Sequence, residues 1–122
     1  MPLVQVDLPR ALFEEKGTQI GDEVHQAFID ALEVPADDRF QIFRPREAGE
    51  LVFDPRYGGV DRRSLIVIQV LMVRRYTVEL KRELYRRIVT RLAGIGIRPE
   101  DIQIAVTENY YEDWYAGRLH DA

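Results

Sequence analysis

Apolar and polar side chains alternate through Leu3-Val4-Gln5-Val6-Asp7-Leu8, the period-2 signature of a half-buried strand that begins almost at the N-terminus. From about Arg10 to Leu32 the period changes. Ile20, Val24, Phe28 and Leu32 recur every four positions with Ala27 and Ala31 beside them, which predicts a helix with one apolar stripe. Gly17 and Gly21 weaken that helix by about 1 kcal/mol each. Pro35 ends it, because the residue before a proline is pushed out of the helical region. Alternation returns at Arg39-Phe40-Gln41-Ile42-Phe43 as a second strand. Strand-like Leu51-Val52-Phe53 followed by Tyr57-Gly58-Gly59 predicts a short hairpin.

The segment Leu65-Ile66-Val67-Ile68-Gln69-Val70-Leu71-Met72-Val73 is almost unbroken apolar sequence and reads as a central strand covered on both faces. Thr77 can cap a helix running to about Ala93, with Leu80, Leu84, Ile88 and Leu92 on its inner stripe and Gly94 and Gly96 stopping it. Pro99 and Asp101 introduce a last strand, Ile102-Gln103-Ile104-Ala105-Val106. An aromatic segment with Tyr110, Tyr111, Trp114 and Tyr115 follows.

The two halves correspond at an offset of about 64 positions: Val4-Gln5-Val6 falls over Ile68-Gln69-Val70, Pro35 over Pro99, and Ile20, Val24 and Phe28 over Leu84, Ile88 and Leu92. The expected architecture is α+β, built from a duplicated β-α-β unit. A four-stranded, mainly parallel or mixed sheet carries both helices on one face, plus the short hairpin. One domain over residues 1–122 contains the two pseudo-repeats, about 2–60 and 61–122. Two helices cover only one face, so layer counting predicts that another copy of the subunit covers the other.

Composition narrows the function classes. The 122 residues are 46% hydrophobic and 31% charged, the make-up of one compact domain, and 17 basic against 21 acidic residues give a net charge of −4. No basic excess argues for nucleic acid or an anionic membrane as the main partner. Without cysteine there are no disulfides, thiolate nucleophiles or cysteine zinc sites. No apolar run approaches the roughly 20 residues that span a bilayer. No signal-peptide pattern opens the chain, so a cytoplasmic address is the expectation.

Removal of the initiator methionine, which a small second residue permits, would make Pro2 a free secondary amine at the tip of a strand. A terminal amine has a reference pKa near ~8. Burial or nearby cations disfavour its protonated form, so it can serve as a neutral base. Three further features stand with it: the duplicated unit, the step Asp37-Asp38-Arg39 opening the second strand, and Arg74-Arg75 closing the third.

With these features the chain resembles the tautomerase superfamily, and most closely its malonate semialdehyde decarboxylase branch. The matching stretches are Met1-Pro2-Leu3-Val4, Val34-Pro35-Ala36-Asp37-Asp38-Arg39-Phe40-Gln41, Ile68-Gln69-Val70, and Glu108-Asn109 followed by Asp113-Trp114. The resemblance implies the tautomerase β-α-β fold, assembled as a homotrimer. Pro2 would be the general acid or base, Asp38 would orient or activate water or tune the amine, and an arginine after the third strand would hold a substrate carboxylate. Guanidinium suits that last task through its planar fork of donors. The decarboxylase pattern places two arginines one residue apart at this strand end. Here Val73 occupies the first place and the arginines are adjacent, which makes Arg75 the better match. Neighbouring residues of a strand face opposite sides, so Arg74 and Arg75 share a pocket only if the strand ends between them.

The expected activity is cofactor-independent keto-enol tautomerisation of small 2-oxo acids, with Pro2, Asp38 and Arg75 catalytic, Arg74 and Trp114 binding substrate, and no metal. The alternative within catalysis is decarboxylation of a 3-oxo acid or hydration of an unsaturated one by cationic Pro2. An alternative of another class is a non-catalytic small-acid-binding or assembly module on the same fold. Other residues read more simply. Arg39 is a surface residue, and His25 and His120 are too few for a metal site. Lys81, Arg82, Arg86, Arg87 and Arg91 form the outer face of the second helix, paired with Glu79 and Glu83.

Overall fold

A computed structural model of the protein describes residues 2–119. Strand β1 (Leu3–Pro9) leads directly into helix α1 (Arg10–Leu32), which returns to strand β2 (Phe40–Arg46). Strand β3 (Ile66–Val73), helix α2 (Val78–Ala93) and strand β4 (Ile102–Asn109) repeat the pattern. The sheet order is β2-β1-β3-β4. β1 pairs in parallel with β2 and β3 with β4, while β1 and β3 run antiparallel at the centre. The sheet is therefore mixed and carries both helices on one face, as expected.

Helix α1 spans the predicted residues and ends where Glu33 adopts a left-handed conformation, φ 56°, two residues before Pro35. Helix α2 starts on Thr77, whose side chain accepts the Leu80 amide at 3.2 Å. Val4, Val6 and Leu8 of β1 and Ile66, Ile68, Val70 and Met72 of β3 point to the helices and are buried. They pack against Ile20, Val24 and Phe28 of α1 and Leu84, Ile88 and Leu92 of α2. Leu80, the first residue of the predicted inner stripe, is instead 39% exposed at the helix start. Gly21 permits a close approach of α1 to β2. A Cβ there would lie 2.9 Å from Gln41 Oε1, and Gln41 Nε2 donates to the Gly21 carbonyl at 2.9 Å.

The structure corrects the predicted hairpin. Leu51-Val52-Phe53 form no strand, and Tyr57–Gly59 is a short 3-10 turn with Gly58 and Gly59 at positive φ. The intervening chain makes turns of its own, with Asp54 Oδ1 accepting the Arg56 amide and Pro55 O accepting the Arg62 amide. Strand β2 runs past Phe43 to Arg46, and it tolerates Pro45 because it is an edge strand. β3 is covered on one face alone within the chain: Val67 and Leu71 are half-buried and Gln69 is exposed.

Lys81 and Arg91 also depart from their predicted pairing. Lys81 Nζ bonds Glu108 Oε1 at 3.1 Å, and Arg91 reaches Glu23 and Asp30 of α1 at 3.1 and 2.7 Å. Both point toward neighbouring elements rather than along their own helix. Arg86 and Arg87 pair with Glu83 as expected.

Asp101 is buried at the head of β4, where Oδ1 accepts the Arg63 and Ser64 amides at 2.7 and 3.2 Å and Arg98 lies 3.3 Å away. Replacing it with alanine strands part-buried donors, each costing about 1–2 kcal/mol. Asp101→Ala is therefore expected to lower unfolding stability by about 2–3 kcal/mol, read as a lower urea midpoint at unchanged m-value.

Candidate functional site

The sheet brings the predicted residues to one end. Leu3 lies opposite Phe40 on one side and Leu71 on the other, and Val73 lies opposite Asn109. Parallel pairing within each half and antiparallel pairing between halves put the N-termini of β1 and β2 beside the C-termini of β3 and β4. Pro2, the 35–39 turn, the 74–76 segment and the aromatic segment after Asn109 consequently leave the sheet at this one end.

Pro2 is buried and lines a narrow crevice of about 150 Å³ with Leu32, Val34, Met72 and Tyr76. Every lining partner but the tyrosine is aliphatic or a thioether, so an amine at this position is poorly solvated in its charged form. Met1, whose removal the amine chemistry requires, and His120 lie outside the described residues. Arg75 opens onto a neighbouring cleft lined by Asp30, Ala31, Leu32, Glu33, Tyr76 and Leu80. Leu32 and Tyr76 are common to both spaces.

The strand ends before either arginine, at Val73. The amide of Arg74 still continues the β3–β4 ladder by donating to the Asn109 carbonyl at 2.8 Å, whereas the Arg75 guanidinium carbon sits 5.3 Å from the centroid of the Tyr76 ring. Both arginines are exposed. Asp38 is half-buried in the turn before β2, with its amide donating to the Pro35 carbonyl at 3.0 Å. It lies close enough to Tyr76 to act on that phenol. Burial pushes the Tyr76 phenol above its usual pKa, Arg75 opposes this, and Tyr111 and Asp38 push it further up. The phenol is a neutral donor throughout the working pH range.

Trp114 is half-buried after β4, where its indole N–H donates to Asn109 Oδ1 at 2.7 Å. It is not among the residues lining the Pro2 crevice. Asp113 Oδ2 accepts the Tyr110 amide at 2.9 Å and shapes that turn. Arg39 pairs with Asp22 at 3.0 Å on the surface, and His25 Nε2 lies 2.8 Å from the Ala36 carbonyl, bracing the turn that carries Asp38. Among the described residues no cluster of histidine and acidic side chains could hold a metal ion. No helix among them is long and apolar enough to cross a membrane.

Tyr76 was not singled out by the sequence pattern. It stands between the arginine pair and the Thr77 cap, and its place beside Pro2 depends on the β1–β3 register, which places the start of β1 beside the end of β3. Glu108, paired with Lys81, belongs to the same end, opposite Met72 in the β3–β4 register.

Comparison with known proteins adds to this geometry. A family model described as "Tautomerase enzyme" matches residues 38–117. The chain is 37% identical over 119 residues to the protein named "Probable tautomerase YusQ" of Bacillus subtilis (strain 168), covering 96% of this chain and 94% of that one. A solved structure of FG41 malonate semialdehyde decarboxylase inhibited by 3-bromopropiolate superposes with a TM-score of 0.87 at 33% identity, covering 93% of this chain and 87% of that one. A malonate semialdehyde decarboxylase solved in wild-type, mutant and inactivated forms superposes at 0.88 with 30% identity, covering 95% of this chain and 91% of that one.

Proposed function

This chain belongs to the tautomerase family, and from that we propose that it is a cofactor-independent enzyme interconverting the keto and enol forms of small 2-oxo acids, with Pro2 as the general base. The observation that carries this reading is the burial of Pro2 in an apolar crevice that shares Tyr76 with the cleft of Arg75. The apolar wall and the nearby guanidinium both disfavour a charged amine, so the nitrogen keeps its lone pair near neutral pH.

In this reading the substrate carboxylate rests on Arg75, and the neutral Pro2 nitrogen takes a proton from the carbon next to the carbonyl. The electron pair of that C–H bond becomes the new carbon–carbon double bond, and the carbonyl electrons move onto oxygen as an enolate. The prolinium then returns its proton to that oxygen to give the enol, and ketonisation runs the same steps in reverse. Arg75 stabilises the negative charge that builds up beside the carboxylate. Asp38 orients the reacting groups near Tyr76.

A second reading is favoured by the similarity to two malonate semialdehyde decarboxylases at 33% and 30% identity. There a cationic Pro2 polarises the carbonyl of a 3-oxo acid, and Asp38 assists decarboxylation or directs water in a hydration. The proton on one nitrogen separates the two mechanisms. For the base role, kcat/KM with an aryl enolpyruvate is expected to rise with pH and level off above an amine pKa below the reference of about 8. A profile falling through that pKa, together with turnover of a 3-oxo acid, assigns the acid role. No rate above buffer with either substrate leaves a binding module as the better reading. The homo-oligomer inferred from the open sheet face is a homotrimer in this proposal, following the family resemblance.

A further inference from the structure

We propose that Tyr76 is a positioning residue that holds the Arg75 guanidinium by its ring face, so that the arginine's N–H donors stay available for a substrate carboxylate. This rests on the reading that Arg75 receives that carboxylate. Four other arginines around the sheet are committed differently, Arg39 to Asp22, Arg44 and Arg46 to Asp7, and Arg91 to Glu23 and Asp30, while the neighbouring Arg74 is held through its backbone amide on the Asn109 carbonyl. Each of those four spends its donors on a protein carboxylate. Arg75 forms no ion pair with a described residue and lies instead 5.3 Å from the Tyr76 centroid.

Attraction to a π face restrains a cation without consuming any of the five N–H donors that a carboxylate needs. An exposed arginine without such a restraint must lose its rotamer freedom when substrate binds, and that loss weakens binding. The ring is itself restrained, since Tyr76 is half-buried against the core and contributes to the wall of the Pro2 crevice. One side chain therefore touches the space of the base and carries the cation that would receive the substrate anion. The phenol stays neutral, so its charge does not compete with a substrate carboxylate for Arg75.

The test measures binding, so it does not require turnover. Phenylpyruvate and its methyl ester, which lacks the carboxylate charge, are titrated by calorimetry into the wild-type protein and into Arg75→Gln, Tyr76→Phe and Tyr76→Leu. Phe keeps the ring face and Leu removes it. Tyr76→Leu is expected to weaken phenylpyruvate binding about 2- to 5-fold, the size of an exposed cation–π contact. Tyr76→Phe should stay near wild type, and the ester should bind all four proteins alike.

Equal losses in the Phe and Leu variants would show that the hydroxyl acts, which overturns the inference. So would a loss for the ester as large as for the acid, which marks a structural role. Arg75→Gln weakening phenylpyruvate while Tyr76→Leu leaves it unchanged removes the inference alone. If Arg75→Gln has no effect, the carboxylate reading of Arg75 falls first and the role of Tyr76 falls with it.

Discussion

Pro2→Ala is expected to lower kcat/KM for ketonisation of an aryl enolpyruvate by roughly 100-fold or more, within the ~10²- to 10⁴-fold range of a positioned general base. Alanine keeps a terminal amine, so the expected loss comes from position rather than from the absence of a nitrogen. The pyrrolidine ring fixes the direction of the nitrogen lone pair and fills the crevice between Leu32, Val34, Met72 and Tyr76. A primary amine on a freely turning residue lacks that fixed direction, and misplacement of a reacting group by about 1 Å can cost 10²-fold. The substitution removes two buried ring carbons, worth about 0.8 kcal/mol each, so Tm should fall by several degrees while the fold is kept. Intact mass spectrometry is the companion measurement, because a retained initiator methionine turns the amine into an amide nitrogen and abolishes the base. Wild-type ketonisation by Pro2→Ala would remove Pro2 from the mechanism.

Much of the frame behind that prediction is legible in the chain itself. The switch from alternation in β1 to a four-residue apolar recurrence falls at the observed start of α1, and Thr77 marks the start of α2 by a local hydrogen bond. These features depend on near neighbours, which a linear pattern records. Features set by distant partners do not show. Leu51-Val52-Phe53 has the composition of a strand but pairs with neither open edge of the sheet, and local turns satisfy the chain beside it. The continuation of β2 past Phe43 through Pro45 depends on its place at the sheet edge, which the linear pattern does not record. Lys81 and Arg91 look like outer-face residues by helical period, yet Glu108, Glu23 and Asp30 lie within reach from other elements. Pro2, Asp38 and Arg75 are visible as chemistry-bearing types, whereas the wall shared by the Pro2 crevice and the Arg75 cleft, Tyr76 with Leu32, needs the antiparallel β1–β3 register.

Ile42→Glu is expected to convert an assembly of roughly three times 14.2 kDa into monomers at micromolar concentration, read by light scattering or sedimentation. The face of the sheet away from the helices presents Phe40, 49% exposed, and Ile42, 44% exposed, beside half-buried Leu3, Leu71 and Val67. Gln5 and Gln69 stand opposite each other at its centre. Asp7 is held between Arg44 and Arg46 at 3.0 and 2.9 Å, so this buried carboxylate is already neutralised. Such a face is apolar enough to be covered and polar enough for directed hydrogen bonds, which fits a repeated interface between copies. A glutamate there would be buried unpaired in every copy at once, at several kcal/mol per charge. Val52→Glu is the control: Val52 is 85% exposed in the 47–65 loop, so the same substitution there should leave the mass unchanged. Activity is expected to fall with assembly, because Phe40 lies across from Leu3, one residue from Pro2. The Pro2 crevice of a single chain is too tight for a small-molecule substrate, so a neighbouring copy is expected to contribute to the site. A wild-type protein that runs as a monomer, or an Ile42→Glu variant that keeps its mass, would leave the open face without this role.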